Sequence, residues 1–169
     1  DYTNQTEVED CWLGDSNVAL ADLNSESDTV QNYWNGWIKQ LIADYNIDAI
    51  RLDTVKHVPH ASWKSFTSSF DVFNQGEVLN DDPAYIASYQ KNASVNPFNY
   101  AVYYPVTFTF NSTKFSMDQL ISMVDQVKGN FSDPTLLGNF LNNHDNPRFE
   151  SYQTDKAVSC YYSAKLGPS

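Results

Sequence analysis

Ile47-Asp48-Ala49-Ile50-Arg51-Leu52-Asp53 is a short, mostly apolar run that closes on an acid. Such a run suits a strand covered on both faces, as in a parallel sheet layered with helices. Immediately before it, Val30, Trp34, Trp37, Ile38, Leu41, Ile42 and Tyr45 recur at helical spacing, and Ser25 with Asp28 resembles a capping box. That pattern predicts an amphipathic helix of about five turns. Further along, the sequence predicts a helix from Ala61 to Phe70, a strand from Asp71 to Glu77, and irregular chain through Pro97. A mixed segment follows from Tyr100 to Phe110, then a helix from Met117 to Lys128 with Leu120, Ile121, Val124 and Val127 on one face. A last strand, Leu136 to Leu141, runs into the polar cluster Asn142 to Asn146, while the stretch from Asp1 to Asn24 reads as an irregular polar segment. Alternating helix and strand predict an α/β fold with a parallel sheet.

Composition narrows the function. Across 169 residues, 21 Asp and Glu face 10 Lys and Arg, a net charge of −11 with His neutral. With 41% hydrophobic and 15% aromatic residues against 18% charged, the chain has the make-up of a folded domain able to bury a core. An acidic chain without a basic cluster repels phosphate backbones and anionic lipid headgroups, which argues against nucleic acid or a membrane surface as partner. No apolar run approaches the ~20 residues of a membrane span. The opening DYTNQTEVED lacks a charged region followed by an apolar one, so the start reads as mature or internal. Cys11 and Cys160 are by count compatible with one disulfide, two half-pairs or two buried thiols. Four N-x-S/T sequons, at Asn4, Asn92, Asn111 and Asn130, hint at secretion.

In parallel α/β folds, ligands and catalytic groups gather at the carboxyl ends of strands. Three predicted strands end in acids here: Asp53, Glu77 and Asp145. The intervals of 24 and 68 residues fit one β-α unit and then about two more, in a barrel whose eight units occupy ~250 residues. Scarce residue types crowd the same places. The only two arginines, Arg51 and Arg148, and two of three histidines, His57 and His144, flank these acids. The chain has no G-x-S-x-G elbow, no phosphate-binding glycine loop, no C-x-x-C and no H-E-x-x-H. Carboxylate chemistry remains, and glycoside cleavage, which needs one carboxyl as acid and another as nucleophile or base, fits it best.

These residues also carry a family resemblance. The run Ile50 to Val58, the run Gly76-Glu77-Val78-Leu79 and the run Phe140 to Phe149 resemble the fourth-, fifth- and seventh-strand motifs of glycoside hydrolase family 13 α-amylases, above all the secreted fungal type. Val8 to Asp15 and Ala19 to Leu23 are similar to the end of that family's calcium-binding B domain. The resemblance implies a partial (β/α)8 TIM barrel, approximately strands 4 to 7, preceded by the end of an irregular B domain. Residues 1–24 would then close the B domain, 25–156 form the central barrel, and 157–169 remain unassigned.

By this resemblance Asp53 is the nucleophile, Glu77 the general acid/base and Asp145 the transition-state stabiliser. Arg51, Lys56, His57, Leu79 and His144 would contact the substrate or orient these acids. Calcium would be the cofactor, bound by Glu9, Asp22 and the backbone carbonyl of His57, which are the hard oxygen ligands this ion takes. Starch, glycogen and malto-oligosaccharides would be the partners of a secreted, extracellular enzyme, monomeric when complete.

The sequence departs from the family at several points. Asn142 stands where fungal relatives usually have Glu, and Ala21 where they have Pro. Ala87 and Phe131 occupy both positions of a family disulfide, and the family partner of Cys11 would lie upstream of Asp1, so Cys11 is not paired with Cys160. The remaining strands and the C-terminal β-domain are absent from the resemblance, which predicts an internal fragment that is inactive alone. Two alternatives use the same residues: a related glucanotransferase, and a non-catalytic carbohydrate-binding protein.

Overall fold

The computed structural model describes residues 1–14, 17–111 and 116–152. The expected tail 157–169 and Cys160 lie outside the described residues. Two compact units result: Asp1–Val78 with Tyr89–Val95, and Leu79–Ser88 with the described residues from Asn96 onward.

The first unit is organised around the stretch Ile47 to Asp53. Helix α2 spans Asp28–Tyr45 and ends at Asn46, whose left-handed backbone (φ 49°) turns the chain into strand β3, Ala49–Leu52. Asparagine tolerates that conformation, so it serves as the stop signal that a glycine often supplies. After a 3-10 turn at Val55–His57 and helix α3 at His60–Thr67, the chain returns as β4, Phe73–Gly76. β3 and β4 pair in parallel with Leu52 opposite Gly76, the β-α-β arrangement that the alternation predicted. Gly76 is needed for this packing, since a Cβ there would collide with the buried side chain of Val95 and crowd Val55.

Several expectations are corrected. Ser25 does not cap α2; Ser27 occupies the cap position without a side-chain bond, while Asn24 Oδ1 accepts from the Ser27 N–H. The α2 face is also poorly covered. Only Ile38 is buried, whereas Trp34, Trp37 and Tyr45 are exposed, because a two-stranded sheet offers too little surface for five turns of helix. For the same reason β3 is not buried on both faces; of its four residues only Leu52 is buried. The first 24 residues are more regular than expected. Asn4 caps a short helix, α1 at Gln5–Asp10, and Leu13–Gly14 pairs antiparallel with Ala19–Leu20 as β1 and β2.

Helix α4, Pro83–Ala93, occupies chain read as irregular. Asp82 starts it, its carboxylate accepting from the Ala84 N–H, and Pro83 sits where a missing N–H costs nothing. In the second unit, the mixed segment is helix α5, Tyr100–Asn111, which continues through Pro105. It packs on α6, Met117–Asn130, which begins with a full Ser116/Gln119 capping box. Of the predicted α6 face, Val127 is buried and Ile121 is exposed. Phe149, which opens the short helix α7 at Phe149–Tyr152, joins Val106 and Leu141 in the core of this unit.

The predicted strand Leu136–Leu141 is not formed. Pro134–Leu136 is a 3-10 turn, and Phe98 and Gly138 make a single parallel bridge. A ladder cannot grow from it on the N-terminal side, because Pro97 has no N–H to donate. On the C-terminal side Asn99 leads directly into α5. The close seating of Gly76 generates a prediction: Gly76→Ala destabilises the protein by about 1–3 kcal/mol, read as a lowered urea midpoint, because Val95 is fully buried and stiff at χ1.

Candidate active site

The parallel register of β3 and β4 places Asp53 and Glu77 at equivalent positions, one residue beyond the last paired residues Leu52 and Gly76. The ladder continues past the strands. Glu77 N–H donates to Leu52 O at 2.8 Å, and Val55 N–H donates to Glu77 O at 2.9 Å. The Glu77 backbone is therefore clamped on both sides of Asp53. Thr54 takes a left-handed backbone (φ 48°) to make the turn, and Trp63 Nε1 donates to Val55 O at 2.8 Å from α3.

Arg51 lies between the two acids. Its Nη2 donates to Asp53 Oδ1 at 3.0 Å and to Glu77 Oε2 at 2.6 Å. The acids differ in exposure: the Asp53 side chain is 72% accessible and that of Glu77 13%. Burial pushes the Glu77 carboxyl up, a hydrogen bond and charge from Asp53 push it the same way, and Arg51 opposes them. One carboxyl is thus open and beside a guanidinium, while its neighbour is desolvated and holds its proton more readily.

Lys56 and His57 follow in the 3-10 turn. Burial lowers the Lys56 ammonium, partly offset by the charge of Glu77, and the ammonium sits 4.8 Å from the ring centre of Tyr2. The Lys56 carbonyl accepts from Gln5 Nε2 and from the Tyr89 hydroxyl, each at 3.4 Å. Tyr89 is fully buried and His60 stacks on it at 4.1 Å. Sequence reasoning missed Gln5 and Tyr89; their only signal was the helical spacing of Tyr85, Ile86 and Tyr89 after Asp82-Pro83.

His57 Nδ1 lies 3.0 Å from the Val8 carbonyl, joining α1 to this turn. Burial lowers the His57 ring, against a raising effect from Asp22. Asp22 is itself pushed up by burial and by the charges of Glu26 and Asp10. Glu9, by contrast, accepts from Gln5 Nε2 at 2.6 Å and acts electrostatically on His60. Among the described residues, no three His, Cys, Asp or Glu side chains converge as a metal-binding group.

A cavity of about 590 Å³ adjoins the site, lined by Trp34, Trp37, Trp63, Asp22, Arg51 and Asp53 among others. It reaches the exposed acid but not Glu77, and its wall is mostly apolar.

His144 and Asp145 belong to the second unit, where His144 Nε2 pairs with Asp145 Oδ2 at 3.2 Å. Leu79 is in that unit too and is exposed. Cys11 is an exposed free thiol, and the two positions of the family disulfide, Ala87 and Phe131, are buried apolar residues.

The sequence and fold are matched by known proteins. A family description, Alpha amylase, catalytic domain, matches residues 2–167. The chain is 48% identical over 158 residues to Alpha-amylase 1 of Lipomyces kononenkoae, covering 94% of this chain and 25% of that protein. Among solved structures, an α-amylase from Malbranchea cinnamomea superposes with a TM-score of 0.89 at 41% identity, over 94% of this chain and 33% of that one. The α-amylase of Geobacillus thermoleovorans, solved with acarbose, superposes with a TM-score of 0.80 at 34% identity, over 93% and 36%. The chain thus spans a quarter to about a third of these relatives' lengths.

The electrostatics of the paired acids predict opposite responses to two substitutions. Asp53→Asn removes a raising charge and lowers the Glu77 pKa, whereas Arg51→Met removes a lowering one and raises it. Carboxyl-carbon NMR titration checks both directions. The sign for stability follows from linkage. Because folding raises Glu77 above its ordinary 4.5, its contribution to stability declines as pH rises from the ordinary value through the folded one.

Proposed function

The chain belongs to the alpha-amylase catalytic-domain family, a (β/α)8 barrel of which it is a part, and on that premise we propose that the protein hydrolyses internal α-1,4 bonds of starch, glycogen and malto-oligosaccharides with retention. The observation that carries this reading is the sharing of one Arg51 nitrogen by Asp53 and Glu77. That nitrogen keeps the two bonded oxygens no further apart than about the 5–5.5 Å of retaining pairs, short of the ~6.5–9.5 Å of inverting ones. Asp53, open to a ligand beside the guanidinium, attacks the anomeric carbon. Glu77, desolvated and protonated to higher pH, gives its proton to the departing oxygen. In the second half, Glu77 takes a proton from water as the water displaces Asp53 from the sugar, and both groups return to their starting states.

Lys56 and His57, directly after the nucleophile, suit the leaving-group side, and Leu79 the chain beyond Glu77. Asp145 and His144 bind sugar hydroxyls in this reading. The protein acts outside the cell as a monomer, with neither nucleic acid nor a membrane surface as partner, in keeping with its net charge of −11.

Calcium is the proposed structural ion. The donors fit it in kind: Asp22 and Glu9 supply carboxylates and His57 a carbonyl. Crowding of Asp22 by Asp10 and Glu26 is repulsion that a divalent cation would relieve. Two carboxylates and one carbonyl fall short of the six to eight oxygens, roughly, that calcium takes, so waters or other oxygens complete the shell. Its place would be between the first 24 residues and the loop after Asp53.

In the protein at its full natural length, Asp53→Asn and Glu77→Gln each lower starch hydrolysis by about a thousandfold or more, with the fold preserved by circular dichroism. Unchanged turnover in either variant sinks the mechanism, and products longer than the substrate, in place of new reducing ends, assign glucan transfer instead. For the ion, a calcium chelator lowers the melting temperature of the wild type by several degrees, roughly, and that of Asp22→Asn by much less. Equal shifts in both remove Asp22 from the site.

A further inference from the structure

The loop that carries His144 and Asp145 has no regular structure of its own: residues 139–148 form neither helix nor strand. Asn143 supplies what is missing. Its Oδ1 accepts from the backbone N–H of Asp145 at 3.0 Å, from that of Asn146 at 2.9 Å, and from Asn146 Nδ2 at 2.8 Å. Its Nδ2 donates to the Tyr100 hydroxyl at 2.8 Å. The orientation of this amide is fixed by chemistry, since a flipped group would aim its own N–H donors at two backbone N–H groups.

Tyr100 is a firm anchor. It is 1% exposed, opens α5, and makes edge contacts with Phe140 at 4.9 Å and Tyr103 at 5.9 Å. Asp145 itself is half exposed, and its carboxylate pairs with His144, a member of the same loop. A contact between neighbours in one loop does not fix that loop against the core. The chain from buried ring to amide to two successive backbone N–H groups can.

We propose that Tyr100 and Asn143 are a positioning pair for Asp145: Tyr100 orients the Asn143 amide, and Asn143 sets the backbone from which Asp145 projects. The inference deepens the reading of Asp145 as a sugar-binding acid and rests on it for the catalytic consequence. Neither residue touches the substrate. A displacement of about 1 Å in a group that acts at the transition state costs up to ~100-fold in rate, so the pair acts on turnover more than on binding.

The test uses the protein at its full natural length, with Tyr100→Phe, Asn143→Ala and the double variant. Tyr100→Phe keeps the ring packing and lowers kcat on soluble starch about 3- to 10-fold, with KM within about twofold. Asn143→Ala lowers kcat about 100-fold, and the double variant is no worse than Asn143→Ala alone, since the two residues act through one another. Amide hydrogen exchange at Asp145 and Asn146 speeds by about tenfold or more in either single variant. Both single variants retaining kcat within about twofold, a double variant whose losses multiply, or unchanged exchange at the two amides each overturns the pair. Where Asn143→Ala fails to fold, Tyr100→Phe decides by kcat and exchange alone. If the wild type leaves α-glucan uncleaved, the proposed activity fails, and the exchange data alone decide whether the pair positions the loop.

Discussion

One guanidinium between two carboxylates is the constraint on which the first unit's chemistry depends. Arg51 projects from a strand of four residues, and the acid two residues on and the acid beyond the neighbouring strand are both within reach because β3 and β4 are parallel and in register. A slip of one residue would turn Glu77 to the opposite face and leave Arg51 with a single partner. The register is in turn fixed by main-chain bonds on either side of Asp53 and by the contact of Gly76 with Val95. Electrostatic tuning of the acids is therefore a consequence of backbone geometry. Arg51 faces two acids with one charge, and the less solvated carboxyl, Glu77, is the one whose hold on its proton is strengthened.

The same unit shows what a small sheet can and cannot do. Two strands align the acids, but they do not cover α2, whose tryptophans Trp34 and Trp37 line a cavity with Trp63 instead of packing into a core. Apolar side chains facing a cavity lack the dispersion contacts that a filled core supplies. The aromatic fraction of the sequence thus exceeds what this sheet can bury.

Much of this was legible in the sequence. The β3 to β4 unit followed from periodicity, and the pairing of Asp53 with Glu77 followed from strand ends, because both signals are local and the parallel pairing of successive strands is a strong rule. The failures have separate causes. Helix α4 was readable from Asp82-Pro83 and the spacing of Ile86, Tyr89 and Ala93, but polar residues between them hid the period. The strand expected at Leu136–Leu141 was a wrong period reading, since an apolar run of that length also suits a turn and an isolated bridge. Helix α5 was obscured by Pro105, and its register survives because tertiary packing of Tyr100, Tyr103 and Val106 outweighs one lost backbone bond. Residues that position others, such as Gln5 and Tyr89, carry no motif. Their importance lies in which backbone atoms they reach, and that is set by the fold alone.

Lys56 touches several of these groups at once. Its carbonyl is bonded by Gln5 and Tyr89, its ammonium lies by the Tyr2 ring, and the charge of Glu77 acts on it. Burial weakens the hold of this ammonium on its proton, and the charge of Glu77 partly restores it. Arg51 is the cation that favours the ionised form of Glu77, against the burial and the neighbouring Asp53 that hold its proton. The balance matters because Glu77 must give up its proton in one half of the reaction and take one in the other. A carboxyl held by burial alone would be a poor donor at neutral pH, and one held by cations alone would have no proton to give. Burial and the Arg51 cation pull this proton in opposite directions.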